Sequence, residues 1–307
     1  MKWIEPSVEL MGLTPLYHKD NLHAALKHIE LCGRKCYKSE DRITEDSATK
    51  FVGKLQSSGH LSVLEHSNMV VHLFPDKVIL ANLSPYIKRG VFSYRGGRQV
   101  VTLGGNIRAW LEYLAGYYFE PNILDPYHFE AAIERIDPYA EIITDPDKVP
   151  ATLRRYTVSF IHDRAFTHEL VRHRPASYSQ ESQRYVRYQD DIEFIMPIEY
   201  RGTTPPSWLD YSARVAELSY QHAIENGVLP QIARTVLPNC TKTEIAVTAD
   251  LIEWQHIIKL RSSKAAHPDM QEIFGYYGPK IIEGIMGGKH HESATDDQQR
   301  EAGGDTD

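Results

Sequence analysis

The stretch over residues 172–188, RHRPASYSQESQRYVRY, constrains the chain more than any other segment. Its 17 residues include four arginines, three serines, two glutamines and three tyrosines, a composition that suits a recognition surface better than a core. Pro175 disfavours helical geometry at the residue before it. We therefore expect a helix through Phe166 and Leu170 to end near His173, with a polar loop after it.

The end of this helix predicts an anion-binding surface. Arg172 and Arg174 lie where the carbonyl end of the helix dipole stabilises a cation, and a planar guanidinium matches phosphate or carboxylate geometry. For any single arginine, surface ion pairing with nearby carboxylates is the alternative. For the whole stretch we favour an anionic ligand, because the loop adds donors that can surround a phosphate and read a base edge. These donors are Ser177, Ser179, Gln180, Ser182, Gln183 and Arg184.

Composition limits the classes of protein to consider. The 307 residues, 42% of them hydrophobic, are enough for one large domain or two small ones. The formal net charge of −7 argues against a nucleic acid polymer as partner, so the basic cluster is expected to serve a small anion. No apolar run reaches the length of a membrane span, and Glu5 and Pro6 interrupt the start where a signal peptide needs an apolar core. These features predict a cytoplasmic protein.

The cysteines predict neither a disulfide framework nor a metal site. Cys32, Cys36 and Cys240 are too few for the first, and one Cys-x3-Cys pair is weak evidence for the second. Cys36 has the most cationic surroundings. We expect no cysteine to act as a nucleophile, because a nucleophilic thiol needs a lowered pKa and a position facing the substrate.

Hydrophobic spacing predicts the main elements. We expect a helix carrying Leu22 that ends at Gly33, a second helix capped by Asp46, a third capped by Asn106 and a fourth through Leu209. Strands are expected over residues 69–74, 78–83, 99–103, 153–161 and 193–197. Residues 121–150 resemble an insertion, and the polar tail over residues 289–307 is expected to be disordered.

The last long helix carries an arginine on its apolar face. At 100 degrees per residue, Leu251, Trp254, Ile258 and Arg261 share one face. An arginine there must snorkel, pair internally or point into a pocket. The pattern leaves internal pairing and a pocket open as alternatives. Arg261 is three turns from Asp250 and cannot simply pair with that carboxylate.

Four motifs together carry a family resemblance. They are RHR followed after seven residues by Ser182 and then by Arg184 and Tyr185, SVLEH ending at His66, ARTVLP containing Arg234, and KLR ending at Arg261. This set resembles the signature of the flavin-dependent thymidylate synthases, also described as thymidylate synthase complementing proteins. The likeness spans most of residues 20–285.

The resemblance implies a fold and an activity. The fold is α+β, with a central, largely antiparallel sheet and flanking helices, in a single domain over residues 1–288 that assembles as a homotetramer with shared active sites. Family members reductively methylate uracil C5 of dUMP to give dTMP. Methylenetetrahydrofolate donates the carbon and reduced FAD the hydride, and NADPH regenerates the reduced flavin. We therefore expect a flavoprotein methyltransferase of nucleotide biosynthesis, with no membrane as partner.

The resemblance also implies roles by position. The flavin-binding positions are His66, Arg172, His173, Arg174, Asp250 and His256. The nucleotide-binding positions are Glu169, Gln180, Ser182, Arg184, Arg234 and Arg261, with Arg184 and Arg234 suited to phosphate and Arg261 to the uracil edge. Ser182 and Arg261 are the expected catalytic residues, since a guanidinium there can stabilise negative charge that develops on the pyrimidine.

Three positions depart from the family pattern. Asp250 stands where many members have Asn, Ile252 where Arg is common, and Glu169 where some members have Gln. The first two changes make the surroundings of the flavin more negative. They leave alternatives open: the same chemistry on another pyrimidine nucleotide such as UMP, a hydroxymethyl product, or a nucleotide- or RNA-binding paralogue without catalysis.

Overall fold

The computed structural model describes residues 1–74, 92–96, 100–116, 122–188 and 191–287, and for residues 92–96 it describes the backbone. Within these residues, α-helices pack on largely antiparallel sheets, which confirms the α+β class. The strand expected over residues 78–83 and the tail over residues 289–307 lie outside the described residues. Gln99, the first residue of another expected strand, also lies outside them.

The helices fall on both sides of the arginine-rich stretch. Before it lie α1 (Leu22–Tyr37), α2 (Ser47–Ser57), α3 (Ile107–Ala115), α4 (Pro126–Ile136) and α5 (Arg164–Leu170). After it lie α6 (Ser207–Glu225), α7 (Pro230–Ala233), α8 (Leu251–Arg261) and α9 (Pro268–Met286). The helices expected after Asn106 and through Leu209 are confirmed.

The described strands form three sheets. The main sheet has the order β2 (Ser7–Leu13), β7 (Arg155–Asp163), β10 (Lys242–Asp250), β8 (Ser177–Gln180), with all neighbours antiparallel. The second sheet has the order β4 (Phe92–Gly96), β5 (Val101–Asn106), β3 (Asn68–Leu73), β6 (Glu141–Ile142) and is also antiparallel. β1 (Lys2–Ile4) and β9 (Glu193–Ile195) form a short parallel pair. The strands expected over residues 69–74, 153–161 and 193–197 are confirmed to within a few residues.

The two faces of the main sheet differ in polarity. Side chains alternate along a strand, so Val158 and Phe160 of β7 point to one face and Arg155 and Thr157 to the other. The apolar face packs on α8 and α9, and Trp254 donates its indole N–H to the Tyr156 carbonyl at 3.0 Å. The opposite face carries a buried polar layer beneath α1.

A second apolar core lies between the second sheet and helices α1 to α4. Trp110 is fully buried there, and its indole N–H donates to the Met69 carbonyl at 3.0 Å. Phe129 and Ile133 of α4 are buried in the same core. The segment interpreted as an insertion therefore supplies core residues and is integrated into the packing.

Two helix ends differ from expectation. α1 continues through Gly33 to Tyr37. Glycine is required at position 33 for packing and not for a helix end, because a Cβ there would lie 2.7 Å from Phe51 and 2.8 Å from Val63. The helix ends instead at Lys38, which adopts the left-handed conformation with φ of 47°. Asp46 precedes α2 without a side-chain cap bond, whereas Asn106 accepts from the Ala109 N–H at 2.8 Å as expected.

In the described part of the chain, no helix combines the length and the apolar composition that crossing a membrane requires.

A pair of glycines in α9 tests the contact between α8 and α9. A Cβ at Gly278 would lie 2.7 Å from Ile258 Cγ2, whereas a Cβ at Gly275 would have no atom within 4 Å. Alanine adds about 1 kcal/mol of helix propensity at either site. Overlap with Ile258 costs roughly 1–3 kcal/mol. In urea denaturation we expect Gly275→Ala to be at least as stable as the unmodified protein and Gly278→Ala to be less stable than Gly275→Ala by that overlap cost. Equal stability of the two variants would contradict close packing here.

Candidate functional site

The arginine-rich stretch is part core and part surface. α5 ends at Leu170, close to the expected position, but residues 177–180 then form β8 at the edge of the main sheet. Ser177 and Ser179 are buried, while Gln180 is half-buried. The expectation of a loop whose serines all face a ligand is wrong, because the period-two alternation of a strand commits both serines to the buried face.

Glu181 anchors the loop that follows β8. Its N–H donates to the Glu244 carbonyl at 2.8 Å, and its side chain is buried. Tyr188 O–H donates to one carboxylate oxygen at 2.6 Å, and Lys242 Nζ donates to the other at 3.4 Å. A buried carboxylate needs such partners in place of water. Glu181 therefore holds the loop from inside the protein.

Lys242 and Glu244 form a buried charge network behind this loop. Lys242 Nζ donates to Glu244 Oε1 at 2.8 Å, and Lys38 donates to the same carboxylate. Burial alone lowers the pKa of Lys242, but the carboxylates of Glu181 and Glu244 raise it above its ordinary value. Burial likewise raises the pKa of Glu244, but Lys242 and Lys38 outweigh burial and bring it to about 2. Both groups are therefore charged at neutral pH.

A cavity of about 440 Å³ opens beside the loop. Gln180, Ser182 and Arg184 line one wall, which brings together three of the expected nucleotide positions. The end of α1 and the segment before β3 supply other walls. They are held against the loop because the Ser182 N–H donates to the Cys36 carbonyl at 2.9 Å.

Aromatic rings give the cavity flat surfaces. The rings of Tyr37 and Tyr185 lie 5.6 Å apart, and the Arg184 guanidinium lies 5.4 Å from the Tyr185 ring centre. The Tyr37 hydroxyl is 3.2 Å from His60 Nδ1. Such surfaces suit a planar ring, and the exposed guanidinium of Arg184 suits a phosphate.

Arg108 of α3 closes another side of the cavity. Its Nε donates to Glu112 and its Nη1 to Glu65, each at 2.8 Å, so two carboxylates compensate its charge. Arg184 makes no ion pair within the described ranges and is the better anion partner. Sequence reasoning missed Tyr37, His60 and Arg108 because the fold brings together segments that are distant in sequence.

Cys36 lines the cavity as a protonated thiol. Burial raises the pKa of Cys36 to about 11, despite a hydrogen bond from Ser179. Burial also raises the pKa of Cys32, and that of Cys240 to about 11. These shifts oppose the activation that a nucleophilic thiol needs.

His66 lies inside the polar layer of the main sheet. Its Nε2 is 2.8 Å from Ser179 Oγ and its Nδ1 is 2.7 Å from Thr248 Oγ1. Burial lowers the pKa of His66 to about 3, so the ring is neutral. His66 thus joins the segment before β3 to two strands of the main sheet. Its place beside a flavin stays a prediction.

Other expected positions gather around Arg261 at the end of α8. Its Nη1 donates to Glu169 Oε2 at 2.7 Å, its Nη2 to the Glu169 carbonyl at 2.6 Å, and its Nε to His173 Nε2 at 3.0 Å. Internal pairing, one of the two alternatives that the sequence left open, is what the structure shows. Because an arginine can only donate, His173 Nε2 is the acceptor and the neutral ring carries its proton on Nδ1.

His173, Glu253 and His256 bring potential metal ligands within 4.8 Å of one another. The protonated Nδ1 of His173 lies 3.3 Å from Glu253 Oε1, a buried oxygen that has no hydrogen-bond partner among the described residues. The guanidinium of Arg261 contacts the other nitrogen of the same ring. A proton on the ligand atom and a neighbouring cation both oppose metal binding, so we interpret the cluster as part of the surroundings of Arg261 and not as a metal site.

The remaining flavin positions have different environments. Arg172 and Arg174 are exposed on either side of buried His173. Asp250 Oδ1 accepts from the Glu253 N–H at 2.8 Å and caps α8. This cap explains a carboxylate here without a ligand, because a negative side chain stabilises a helix N-terminus. Ile252 is 52% exposed.

Arg234 follows α7 in a short helical turn and is half-buried. Among the described residues that line the cavity, neither Arg234 nor Arg261 is present. A single chain therefore brings the expected nucleotide positions together in part.

The fold and these clusters define an α+β protein with a cavity lined by aromatic rings and Arg184 and with a separate arginine-centred network. Residues 140–279 match the family described as thymidylate synthase complementing protein. The flavin-dependent thymidylate synthase of Pyrococcus furiosus is 37% identical over 115 residues, which cover 36% of this chain and 47% of that protein. The proteins of the same name from Mycobacteroides abscessus and Geobacter sulfurreducens are 37% and 38% identical over 126 and 112 residues. These matches cover 36% of this chain and 50% and 48% of those proteins.

The chain resembles the thymidylate synthase complementing protein family over residues 140–279, which confirms the resemblance read from its motifs. It spans about half the length of the curated relatives it matches.

Proposed function

We propose that this protein is a flavin-dependent thymidylate synthase that reductively methylates uracil C5 of dUMP to give dTMP. Methylenetetrahydrofolate is the carbon donor, and FAD with NADPH is the source of hydride. The observation that carries this proposal is the cavity wall formed by Gln180, Ser182 and Arg184, because the family resemblance assigns these positions to the nucleotide. The names of the matched relatives support the same activity.

The cavity offers a separate group for each part of a nucleotide. The exposed fork of Arg184 takes the phosphate, and Tyr37 and Tyr185, which contact each other, offer an aromatic surface to the planar base. Gln180 donates from Nε2 to Thr167 Oγ1 at 2.8 Å, so its Oε1 can accept from the base. Ser182 Oγ accepts from the Arg184 N–H at 3.3 Å and keeps its own O–H to donate.

The surface beside His173 fits a flavin dinucleotide. Arg172 and Arg174 are exposed and offer two forks for the diphosphate, and His256 and Ile252 offer an exposed ring and an exposed apolar side chain. Bound FAD supplies the hydride that completes the methyl group. The residues of this chain hold the diphosphate and position His173 as a hydrogen-bond acceptor beside Arg261.

Arg261 is the proposed catalytic cation. Its guanidinium faces the uracil edge and stabilises the negative charge that develops on the pyrimidine as C5 attacks carbon. A thiol adduct at the pyrimidine is not required. The proton of Cys36 stays on its sulfur at neutral pH, because burial raises the pKa of this thiol to about 11.

The active form is proposed to be a homotetramer in which Arg234 and Arg261 of one subunit complete the cavity of another. The separation of these residues from the cavity in a single chain supports shared sites. A stripe on α6 supports association. It consists of Trp208, Tyr211, Val215 and Leu218, which are 64%, 70%, 43% and 64% exposed, at spacings that share one helix face.

The test of the proposed function is mass analysis of the product. The full chain is incubated with FAD, NADPH, methylenetetrahydrofolate and either dUMP or UMP. A dUMP product heavier by CH2 supports the proposal, and a product heavier by CH2O indicates a hydroxymethyl group. Conversion of UMP but not of dUMP would show that the substrate is UMP. A protein that shows no flavin absorbance and forms no product would be a binding paralogue.

Arg184→Lys tests the phosphate site. Lysine keeps the charge but loses the bidentate fork, so we expect the dissociation constant of dUMP to rise about three- to tenfold. The absorbance spectrum of bound FAD should not change. Loss of flavin with unchanged dUMP affinity would show that the two roles are assigned the wrong way round.

Arg174→Ala tests the flavin site. Since Arg174 is exposed, we expect its loss to weaken FAD binding by about fivefold, as measured by fluorescence titration of the flavin. Arg42→Ala, which removes another exposed arginine, is the matched control and should leave FAD affinity unchanged. Equal FAD affinity in the two variants would show that Arg174 does not contribute to the flavin site.

A further inference from the structure

The guanidinium of Arg261 is enclosed by groups of its own chain. Three of the five N–H groups of an arginine are engaged here, two by Glu169 and one by His173. The side chain of Arg261 is 12% exposed. A ligand that binds Arg261 must therefore compete with the hydrogen bonds that Glu169 and His173 already accept from it.

Glu169 binds this cation in two ways. Its carboxylate accepts from Nη1 at 2.7 Å, and its backbone carbonyl, in the last turn of α5, accepts from Nη2 at 2.6 Å. The carbonyl contact holds the arginine at the helix end whatever the side chain at this position. The carboxylate adds a charge-assisted bond to the edge of the guanidinium.

The charges around Arg261 are unfavourable for an anionic ligand. On one side lies the carboxylate of Glu169, and on the other the neutral ring of His173 leads to the carboxylate of Glu253, 3.3 Å from Nδ1. The Glu169 carboxylate neutralises the guanidinium at the edge that it occupies. A pyrimidine that gains negative charge is attracted to Arg261 more strongly once this carboxylate withdraws.

The structure shows which carboxylate can withdraw. The side chain of Glu253 is 11% exposed and packs against His173, which is 5% exposed, so both are held in place. The side chain of Glu169 is 31% exposed and can rotate into solvent without leaving a buried charge. Removal of Glu169 from the guanidinium opens one edge of Arg261 while His173 keeps the other.

We propose that the Glu169 carboxylate is an internal competitor for Arg261, which the pyrimidine nucleotide displaces when it binds. This inference rests on the proposed function, in which Arg261 faces the uracil edge. In this proposal Glu169 weakens nucleotide binding, whereas a substrate-binding residue would strengthen it.

Glu169→Gln tests the competitor role. Glutamine keeps the size of the side chain and removes its charge, so we expect the dissociation constant of dUMP to fall about fivefold, measured by isothermal titration calorimetry on the full chain with FAD. Glu169→Ala should shift it in the same direction, because the carboxylate alone is responsible. Glu45→Gln removes a distant, exposed carboxylate that contacts Lys27 and should leave dUMP affinity unchanged.

Each result decides the inference. Weaker or unchanged dUMP binding in Glu169→Gln overturns the competitor role. If the unmodified protein still forms dTMP in that case, the proposed function stands without the competitor role. If the unmodified protein neither binds nor converts dUMP but Glu169→Gln binds it, the competitor role stands and the proposed substrate is wrong. If neither protein binds dUMP, both proposals fail.

Discussion

A buried imidazole joins the two cores of the molecule. His66 contacts Ser179 on β8 and Thr248 on β10, and Thr248 Oγ1 lies 2.6 Å from Thr157 Oγ1, which in turn reaches His28 of α1 at 2.9 Å. A buried polar group without a partner costs as much free energy as a lost hydrogen bond or more, so each member of this chain of contacts restricts the next. The position of β8 against α1 follows from these contacts. The cavity lies where these two elements meet.

The cavity is assembled from two parts of the chain with different relationships to known proteins. The wall that carries Ser182 and Arg184 lies within the residues that match the family. The walls that carry Tyr37, His60 and Arg108 lie outside that match. Eight of the twelve described residues that line the cavity therefore lie outside the family match. The ligand selectivity of this cavity can therefore differ from that of the relatives even where the arginines agree.

Local patterns in the sequence predicted local structure well. The Asn106 cap, the buried strand β3 and the central strand β7 follow from capping chemistry and hydrophobic runs, which depend on neighbours in sequence. Apart from the missing Asp46 cap, the failures involve distant contacts. Gly33 was expected to end a helix because its packing against α2 is invisible locally, and Ser177 was expected to face a ligand because the pairing of β8 with β10 is not encoded in its own composition. For the site, the family resemblance indicated positions, but only the fold separates those in the cavity from those around Arg261.

The neutral state of His66 makes the joint between the cores sensitive to acid. Burial lowers the pKa of this ring to about 3, whereas an unperturbed histidine titrates at 6.5. As the pH falls through this interval, the unfolded chain takes up a proton that the folded chain excludes, so the free energy of unfolding decreases. Protonation of His66 is incompatible with its buried position, so acid weakens the seam between β8 and the segment before β3. Because the cavity lies beside this seam, its shape depends on the same neutral ring that the stability depends on.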